Sequence, residues 1–229
     1  MALLVLAACG GSADQNANGS AKDSTTRIAS SVIKRSDRSG RSVVLFVGTS
    51  ITAGLGLDPD SAYPARVERL ADSIHFRIDA QNAGLSGETS AGTLRRIEWL
   101  LTQEAEYIIF ETGANDGLRG LRVDSTRQNI EALIRKAREI KPQGKLFLVQ
   151  MEAPPNMGAE YTKAFHDMYR EVSVKLKVRL LPFLLEGVAG HAELNQADGI
   201  HPNDKGEAIV AMNFWKAWGT AIIPGLTIK

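Results

Sequence analysis

The stretch VVLFVGTSITAGLGL, residues 43–57, runs from a short apolar segment directly into a small polar turn that contains Ser50. An uninterrupted apolar run of this length is typical of a strand buried on both faces of a sheet. Ser50 then has two interpretations. It is either a nucleophile held at the end of a strand or a turn serine whose hydroxyl bonds nearby backbone. The rest of the chain has to supply a base, an acid and hydrogen-bond donors before the first interpretation gains weight.

Apolar runs and helical patterns alternate along the chain after residue 42. The pattern predicts strands at residues 43–47, 76–80, 107–111, 145–151 and 179–181. Helical periodicity predicts helices at residues 63–75, 89–103, 124–140, 159–176 and 203–222. Strands separated by helices of this length favour right-handed βαβ units. The sequence therefore predicts a three-layer α/β sandwich around a parallel sheet.

Composition excludes several classes of function. The 27 Lys and Arg residues nearly balance the 26 Asp and Glu residues, and no long basic run is present, so no nucleic-acid partner is expected. No apolar stretch approaches the roughly 18 residues of a membrane-spanning helix. The single cysteine, Cys9, leaves no intrachain disulfide and no cysteine-based zinc cluster.

The amino-terminal residues MALLVLAACGGS resemble a bacterial lipoprotein signal that ends at Cys9. The apolar region and the small residues before Cys9 fit, whereas the usual positive charge at the start is missing. The alternative is an apolar terminus with an incidental cysteine. The resemblance implies cleavage before Cys9, lipidation of its thiol, and residence in the cell envelope, periplasmic or extracellular.

The remaining boundaries follow from composition. Residues 10–41 are rich in small and polar side chains, which predicts a flexible tether. The folded domain is expected over residues 42–223, with a short tail at 224–229.

Small and polar residues collect where the predicted strands end. The segments are GTS, NAGLSGETS, TGANDG and EAPPNMG after successive strands, and ADGIHPND before the last helix. Ligands of open parallel sheets bind outside the carboxyl ends of the strands. Each segment alone is a plausible turn, but together they predict a site at that edge.

His201 is the best candidate base for Ser50, because a serine hydroxyl needs an adjacent base to become a nucleophile. Asp198 stands three residues earlier, close enough to hold the imidazole in one tautomer. The alternative for DGIHP is a capping turn before the last helix. His75 and His166 fall in predicted helices, and His191 is a weak loop candidate.

Three groups are candidate donors to an oxyanion. They are the backbone N–H of Ser50, the backbone N–H of Gly87 and the side-chain amide of Asn115. Gly87 is expected in a tight loop that a side chain would obstruct. Asn115 would also be ordinary as a turn residue beside Asp116 and Gly117.

The segments that contain Ser50, Gly87, Asn115 and His201 resemble those of the SGNH hydrolases, also called GDSL-type esterases and lipases. The marked residues of that family fall on Ser50 in GTSIT, Gly87 in NAGLSGETS, Asn115 in GANDG and His201 in DGIHP, in the family order. The likeness covers about residues 43–221. It implies a flavodoxin-like sandwich, a Ser–His–Asp triad with Asp198, and neither metal nor cofactor. FETGANDGLRGL, together with PPNMG and LLPFLLEGVAG, is most similar to the secreted thioesterases, lysophospholipases and arylesterases of the family.

The segment around Ser50 differs from the usual SGNH pattern at one position and from two other known motifs. Thr49 stands where the family usually has Asp, which is expected to tune rate or specificity without changing the mechanism. Thr52 replaces the second glycine of a G-x-S-x-G elbow, which argues against an α/β-hydrolase of the lipase superfold. No lysine follows the glycines as a phosphate-binding P-loop requires.

The sequence therefore predicts a serine esterase that hydrolyses esters or thioesters of small to medium acyl chains. Its partners would be small-molecule or lipid esters. Loop residues after the third and fourth strands are candidate acyl contacts, or alternatively ordinary loop packing: Leu118, Leu121, Pro155 and Met157. Two alternatives stay open, a carbohydrate acetylesterase of the same fold and a non-catalytic glycan- or lipid-binding lipoprotein. The sequence says nothing about oligomeric state.

Overall fold

The computed structural model describes residues 39–228, and its centre is one five-stranded sheet. All neighbouring strands are parallel, in the order β2-β1-β3-β4-β5. The strands are β1 Ser42–Gly48, β2 Ile78–Gly84, β3 Tyr107–Phe110, β4 Lys145–Val149 and β5 Arg179–Leu181. The reversal of strand order between β1 and β3 creates the switch point at which such sheets bind ligands.

Helices cover both sides of this sheet. They are α1 Ser50–Ala53, α2 Tyr63–Ser73, α3 Ser90–Leu100, α4 Ala114–Leu118, α5 Val123–Ile140, α6 Ala159–Leu176 and α7 Asp204–Ile222. Helix α2 packs against α7, while α5 packs against both α3 and α6. The predicted three-layer α/β sandwich is confirmed. None of the helices within residues 39–228 combines the length and apolar character needed to cross a bilayer.

The interior strand β1 is buried on both faces from Val44 to Val47, which accounts for its continuous apolar run. Phe46 meets Tyr63 of α2 edge to face at a centroid distance of 5.6 Å. It also contacts Phe214 of α7 at 5.3 Å. These aromatic contacts fix α2 and α7 against the strand that leads to Ser50.

Strand β2 lies further along the chain than its sequence predicts. The expected strand at residues 76–80 is instead Ile78–Gly84, so Asn82 and Gly84 belong to the strand and not to the loop after it. β2 is an edge strand, and it pairs with β1 along its whole length, from Ser42 opposite Ile78 to Gly48 opposite Gly84. Only its first two residues are buried, so most of this strand carries no apolar signal.

The two ends of the chain differ in what the structure describes. The proposed signal ending at Cys9 and most of the proposed tether lie outside the described residues. Beyond α7, Leu226 and Ile228 pack against the core, so the segment expected as a tail is partly held by apolar contacts.

Candidate active site

Ser50 lies at the first position of α1, immediately after the carboxyl end of β1. Only 7% of the residue is exposed, although it lies at the carboxyl ends of the strands. Helix α1 is a single turn that ends at Gly54 in a left-handed conformation. The short helix leaves the serine at the end of the strand, as the sequence predicts.

The structure brings Ser50, His201 and Asp198 into one hydrogen-bonded line. The distance from Ser50 Oγ to His201 Nε2 is 2.7 Å. The distance from His201 Nδ1 to Asp198 Oδ2 is 2.6 Å. Residues 151 positions apart in the sequence therefore meet with the geometry of a nucleophile, a base and an orienting acid.

The Asp198 carboxylate is stabilised by hydrogen bonds from its own turn. The His201 side chain contributes most, and the backbone N–H groups of His201 and Ile200 donate at 3.1 and 3.0 Å. These bonds lower the pKa of Asp198 to about 2. The carboxylate is therefore charged at neutral pH and favours the tautomer with the proton on Nδ1, in which Nε2 is the acceptor that faces Ser50.

The candidate oxyanion donors lie in the first turn of α1 (Ser50), in the loop after β2 (Gly87) and in the first turn of α4 (Asn115). Asn115 donates one amide hydrogen to the carbonyl of Glu88 at 3.0 Å, which leaves its second amide hydrogen for another acceptor. Glu88 directly follows Gly87, so Asn115 and the Gly87 loop are joined. Leu85 N–H also donates to the carbonyl of Gly48 at 2.9 Å, which holds this loop beside the turn of Ser50.

The reason for glycine at residue 87 differs from the expectation. A Cβ built there would meet only Arg119 Nη2, at an ordinary 3.7 Å, so no side chain obstructs the loop. The backbone φ of Gly87 is +77°, in the left-handed region that glycine adopts at low cost. Backbone conformation, and not lack of space, explains this glycine.

Glu111 is a buried carboxyl beneath the Ser50 turn, and sequence reasoning assigned it no role. It accepts hydrogen bonds from Thr49 N–H at 2.7 Å, from the Thr49 hydroxyl at 2.9 Å and from the Thr52 hydroxyl at 2.9 Å. Burial raises its pKa to about 7, against the effect of these bonds. The available signal was a charged residue at the end of the otherwise apolar run YIIFE. Its contacts also explain Thr49, whose hydroxyl donates to Glu111 where an aspartate would add a second carboxylate.

A second buried carboxyl, Glu207, extends this polar network to α7. Glu207 accepts the backbone N–H of Tyr63 at 2.7 Å, and burial raises its pKa to about 8. The Tyr63 hydroxyl lies 3.1 Å from Thr52 Oγ1, which also bonds Glu111. Buried polar groups thus connect the Ser50 turn with the helix that follows His201.

Apolar side chains surround this edge of the sheet. Leu118 and Leu121 are 43% and 40% exposed, and the hydroxyl of Tyr161 donates to the Leu121 carbonyl at 2.7 Å. Met157 lines a groove of about 470 Å³ that Tyr161 also borders, while Pro155 is exposed. Three further exposed apolar residues in loops at strand ends escaped the sequence reasoning: Leu55, Leu85 and Ile200.

The other histidines make different contacts. His166 Nδ1 lies 2.7 Å from Glu152 Oε1 on the exposed side of α6, and His191 Nδ1 lies 3.6 Å from Glu193. His75 follows α2 with φ of +62°. Within residues 39–228, no group of three or more His, Cys, Asp or Glu side chains is arranged to hold a metal ion.

Comparison with known proteins identifies the family. A family model described as the GDSL-like lipase/acylhydrolase family matches residues 46–209. The chain belongs to this family. It is accordingly a serine hydrolase that acts on ester bonds.

Individual relatives are similar over most of their length. The chain is 41% identical to esterase TesA of Pseudomonas aeruginosa over 75% of this chain and 85% of the relative. It is 34% identical to thioesterase 1/protease 1/lysophospholipase L1 of Escherichia coli over 73% and 79%. The solved structure of the psychrotrophic esterase EstA from Pseudoalteromonas, inhibited by monoethylphosphonate, matches with a TM-score of 0.75 and 30% identity over 79% and 98%.

The raised pKa of Glu111 makes a prediction about stability against pH. A carboxyl whose pKa rises from 4.5 unfolded to about 7 folded favours the protonated folded state. Stability is therefore lost as pH rises through this window, by roughly 3 kcal/mol for this group. We expect Glu111→Gln to make the fall in unfolding free energy between pH 5 and 8 shallower, as measured by urea denaturation.

Glu207 contributes a fall of the same sign and remains in this variant, so the slope is reduced and not abolished. The matched control is Glu186→Gln, which changes an exposed carboxyl and should leave the slope unchanged. A Glu111→Gln profile parallel to that of the parent would contradict the assignment.

Proposed function

We propose that the chain hydrolyses carboxylic esters and thioesters of small to medium acyl chains through an acyl-enzyme on Ser50. The observation that carries this proposal is the 2.7 Å hydrogen bond between Ser50 Oγ and His201 Nε2. Its orientation supports proton transfer from the serine to the histidine, since charged Asp198 holds the Nδ1 proton on the far side of the ring.

Acylation begins when Ser50 Oγ attacks the ester carbonyl carbon and His201 Nε2 takes the hydroxyl proton. Asp198 stabilises the resulting imidazolium. The tetrahedral intermediate collapses when its bond to the leaving group breaks, and His201 gives its proton to the departing alcohol or thiol. Water then attacks the acyl-enzyme while His201 takes its proton. Collapse of the second tetrahedral intermediate releases the acid, and His201 returns the proton to Ser50.

The negative oxygen of each tetrahedral intermediate needs fixed donors. We assign this role to the backbone N–H groups of Ser50 and Gly87 and to the amide hydrogen of Asn115 that Glu88 leaves unused. A single donor of this kind is worth about 3 kcal/mol in a well-studied serine protease. Asn115 suits the task because its amide donates without titrating.

The apolar loops support an acyl substrate. Leu118 lies about one helical turn after Asn115, and the Leu121 carbonyl accepts the hydroxyl of Tyr161, which borders the groove that Met157 lines. Exposed leucines so close in the chain to Asn115 favour an acyl chain over the polar face of a sugar, so they count against a carbohydrate acetylesterase. The ordered line from Ser50 to Asp198 counts against a binding protein with an idle triad.

A lipid anchor on Cys9 is proposed for the full chain from its sequence motif. It would hold the enzyme in the cell envelope near lipid esters. We expect the parent to incorporate radiolabelled palmitate in a bacterial host and Cys9→Ala to incorporate none. Ser12→Ala is the control. Equal labelling of parent and Cys9→Ala would remove this proposal and leave the esterase proposal untouched.

The test of the nucleophile is labelling with a fluorophosphonate probe. We expect the parent to be labelled and Ser50→Ala to be unlabelled, because the probe bonds to an activated serine oxygen. His201→Ala should label at least 100-fold more slowly, since it removes the base. His191→Ala, which changes an exposed loop histidine, should label like the parent. Labelling of Ser50→Ala at the parental rate would contradict the mechanism.

The acyl preference is tested with p-nitrophenyl esters from acetate to dodecanoate. Leu121→Ser should lower kcat/KM for octanoate by about 10-fold and for acetate by less than 2-fold, because complete burial of a leucine side chain is worth roughly 1.5–3 kcal/mol. Val174→Ser, at a 71% exposed position on α6, is the matched control. An equal loss for both esters would separate Leu121 from acyl recognition.

A further inference from the structure

Arg96 of α3 is a mostly buried cation that donates two hydrogen bonds to the carboxylate of Glu88. Arg96 Nε donates to Glu88 Oε1 at 2.7 Å, and Nη2 donates to Oε2 at 2.6 Å. The Glu88 side chain is only 4% exposed, so this bidentate pair is shielded from water. Planar two-point contacts of this kind fix orientation as well as charge.

Glu88 connects this pair to the Gly87 N–H and to the Asn115 amide, two donors of the proposed oxyanion site. It directly follows Gly87, and its carbonyl accepts the Asn115 amide at 3.0 Å. The Thr93 hydroxyl also donates to Glu88 Oε2 at 3.2 Å. The side chain of Glu88 is thus held by α3 while its backbone sets the direction of Asn115.

Arg96 also reaches the strands beside Ser50. Its Nη2 donates to the Ala83 carbonyl at 2.8 Å and lies 3.5 Å from the Gly48 carbonyl. Gly92 permits this arrangement, because a Cβ at that position would lie only 2.7 Å from Glu88 Cγ. One guanidinium therefore ties the donor loop to the ends of β1 and β2.

We propose that Arg96 is a positioning residue for the oxyanion site, acting through Glu88 to aim the Gly87 N–H and the Asn115 amide at one point. The proposal rests on the proposed function. Electrostatic stabilisation of a transition state depends on donors that are oriented before the reaction. If the Gly87 N–H and the Asn115 amide become mobile, the rate of the chemical step falls even when substrate still binds.

The expected signature is a loss of kcat with little change in KM. The oxyanion forms only after attack on the carbonyl, so ground-state binding does not use these donors fully. We expect Arg96→Gln to lower kcat for p-nitrophenyl butyrate by about 10- to 100-fold, below the loss that follows complete removal of a donor, and to change KM by less than about 3-fold. Arg96→Lys keeps the charge but not the two-point contact, and should be intermediate.

The matched control is Arg95→Gln, because Arg95 is the neighbouring arginine of α3 and is exposed. It should retain the parental kcat and KM. The double variant Glu88→Gln/Arg96→Gln should lose no more than the more impaired single variant, as for two residues that act as one unit.

Chemical rescue separates positioning from a general role in folding. In Arg96→Ala, low and non-denaturing guanidinium chloride should raise kcat several-fold by refilling the site beside Glu88, with no effect on the parent or on Ser50→Ala. Urea denaturation of every variant is measured in parallel. If kcat losses follow stability losses and guanidinium restores nothing, the positioning role is overturned.

Failure of this inference is distinguishable from failure of the proposed function. If fluorophosphonate labels Ser50 of the parent and folded Arg96→Gln keeps kcat within 2-fold, only the role of Arg96 is wrong. If the parent itself takes no label, the proposed mechanism fails before Arg96 is tested.

Discussion

The hydrogen bonds that Glu111 accepts beneath the Ser50 turn are the constraint on which the site depends. One carboxyl at the end of β3 binds the backbone and the hydroxyl of Thr49 and also the hydroxyl of Thr52. These contacts fix the residues on both sides of Ser50 to the neighbouring strand. Burial of a carboxyl is costly unless it is hydrogen-bonded, so this position has little freedom to move. The serine is therefore placed by the sheet and not by its own short helix.

The same network explains how residues from distant parts of the chain remain in register. Thr52 contacts Tyr63, whose backbone N–H binds Glu207 of α7. Helix α7 begins three residues after His201, and Asn203 caps it by accepting the N–H groups of Lys205 and Gly206. The nucleophile turn and the histidine loop are thus attached to one buried chain of polar contacts and to the aromatic cluster around Phe46.

Much of the fold and part of the site were readable from the sequence because their signals are local. The run in β1, the alternation of strands and helices, and the spacing of Asp198 and His201 are properties of short segments, and the structure agrees with them. The edge strand β2 was misplaced because most of its residues are not buried. Glu111 stood out only as a charge at the end of an apolar run, and its role could not be assigned because Thr49 lies 62 residues away. Arg96 could not be assigned because its role depends on Glu88 and on the Gly48 carbonyl, 8 and 48 residues away. No local pattern encodes such contacts.

The histidine turn has an architecture unlike that of the serine. The hydrogen bonds among Asp198, Ile200 and His201 all lie within four consecutive residues. A bridge between Asn195 and Pro202 closes the loop around them. The hydrogen bonds between the acid and the base thus lie within one turn, whereas the nucleophile is placed by contacts with strands, helices and buried carboxyls across the domain. The histidine turn and the serine turn should therefore respond differently to substitutions elsewhere in the protein. Changes elsewhere in the protein should disturb the histidine turn less than they disturb Ser50, whose position depends on β1, β3 and α7 together.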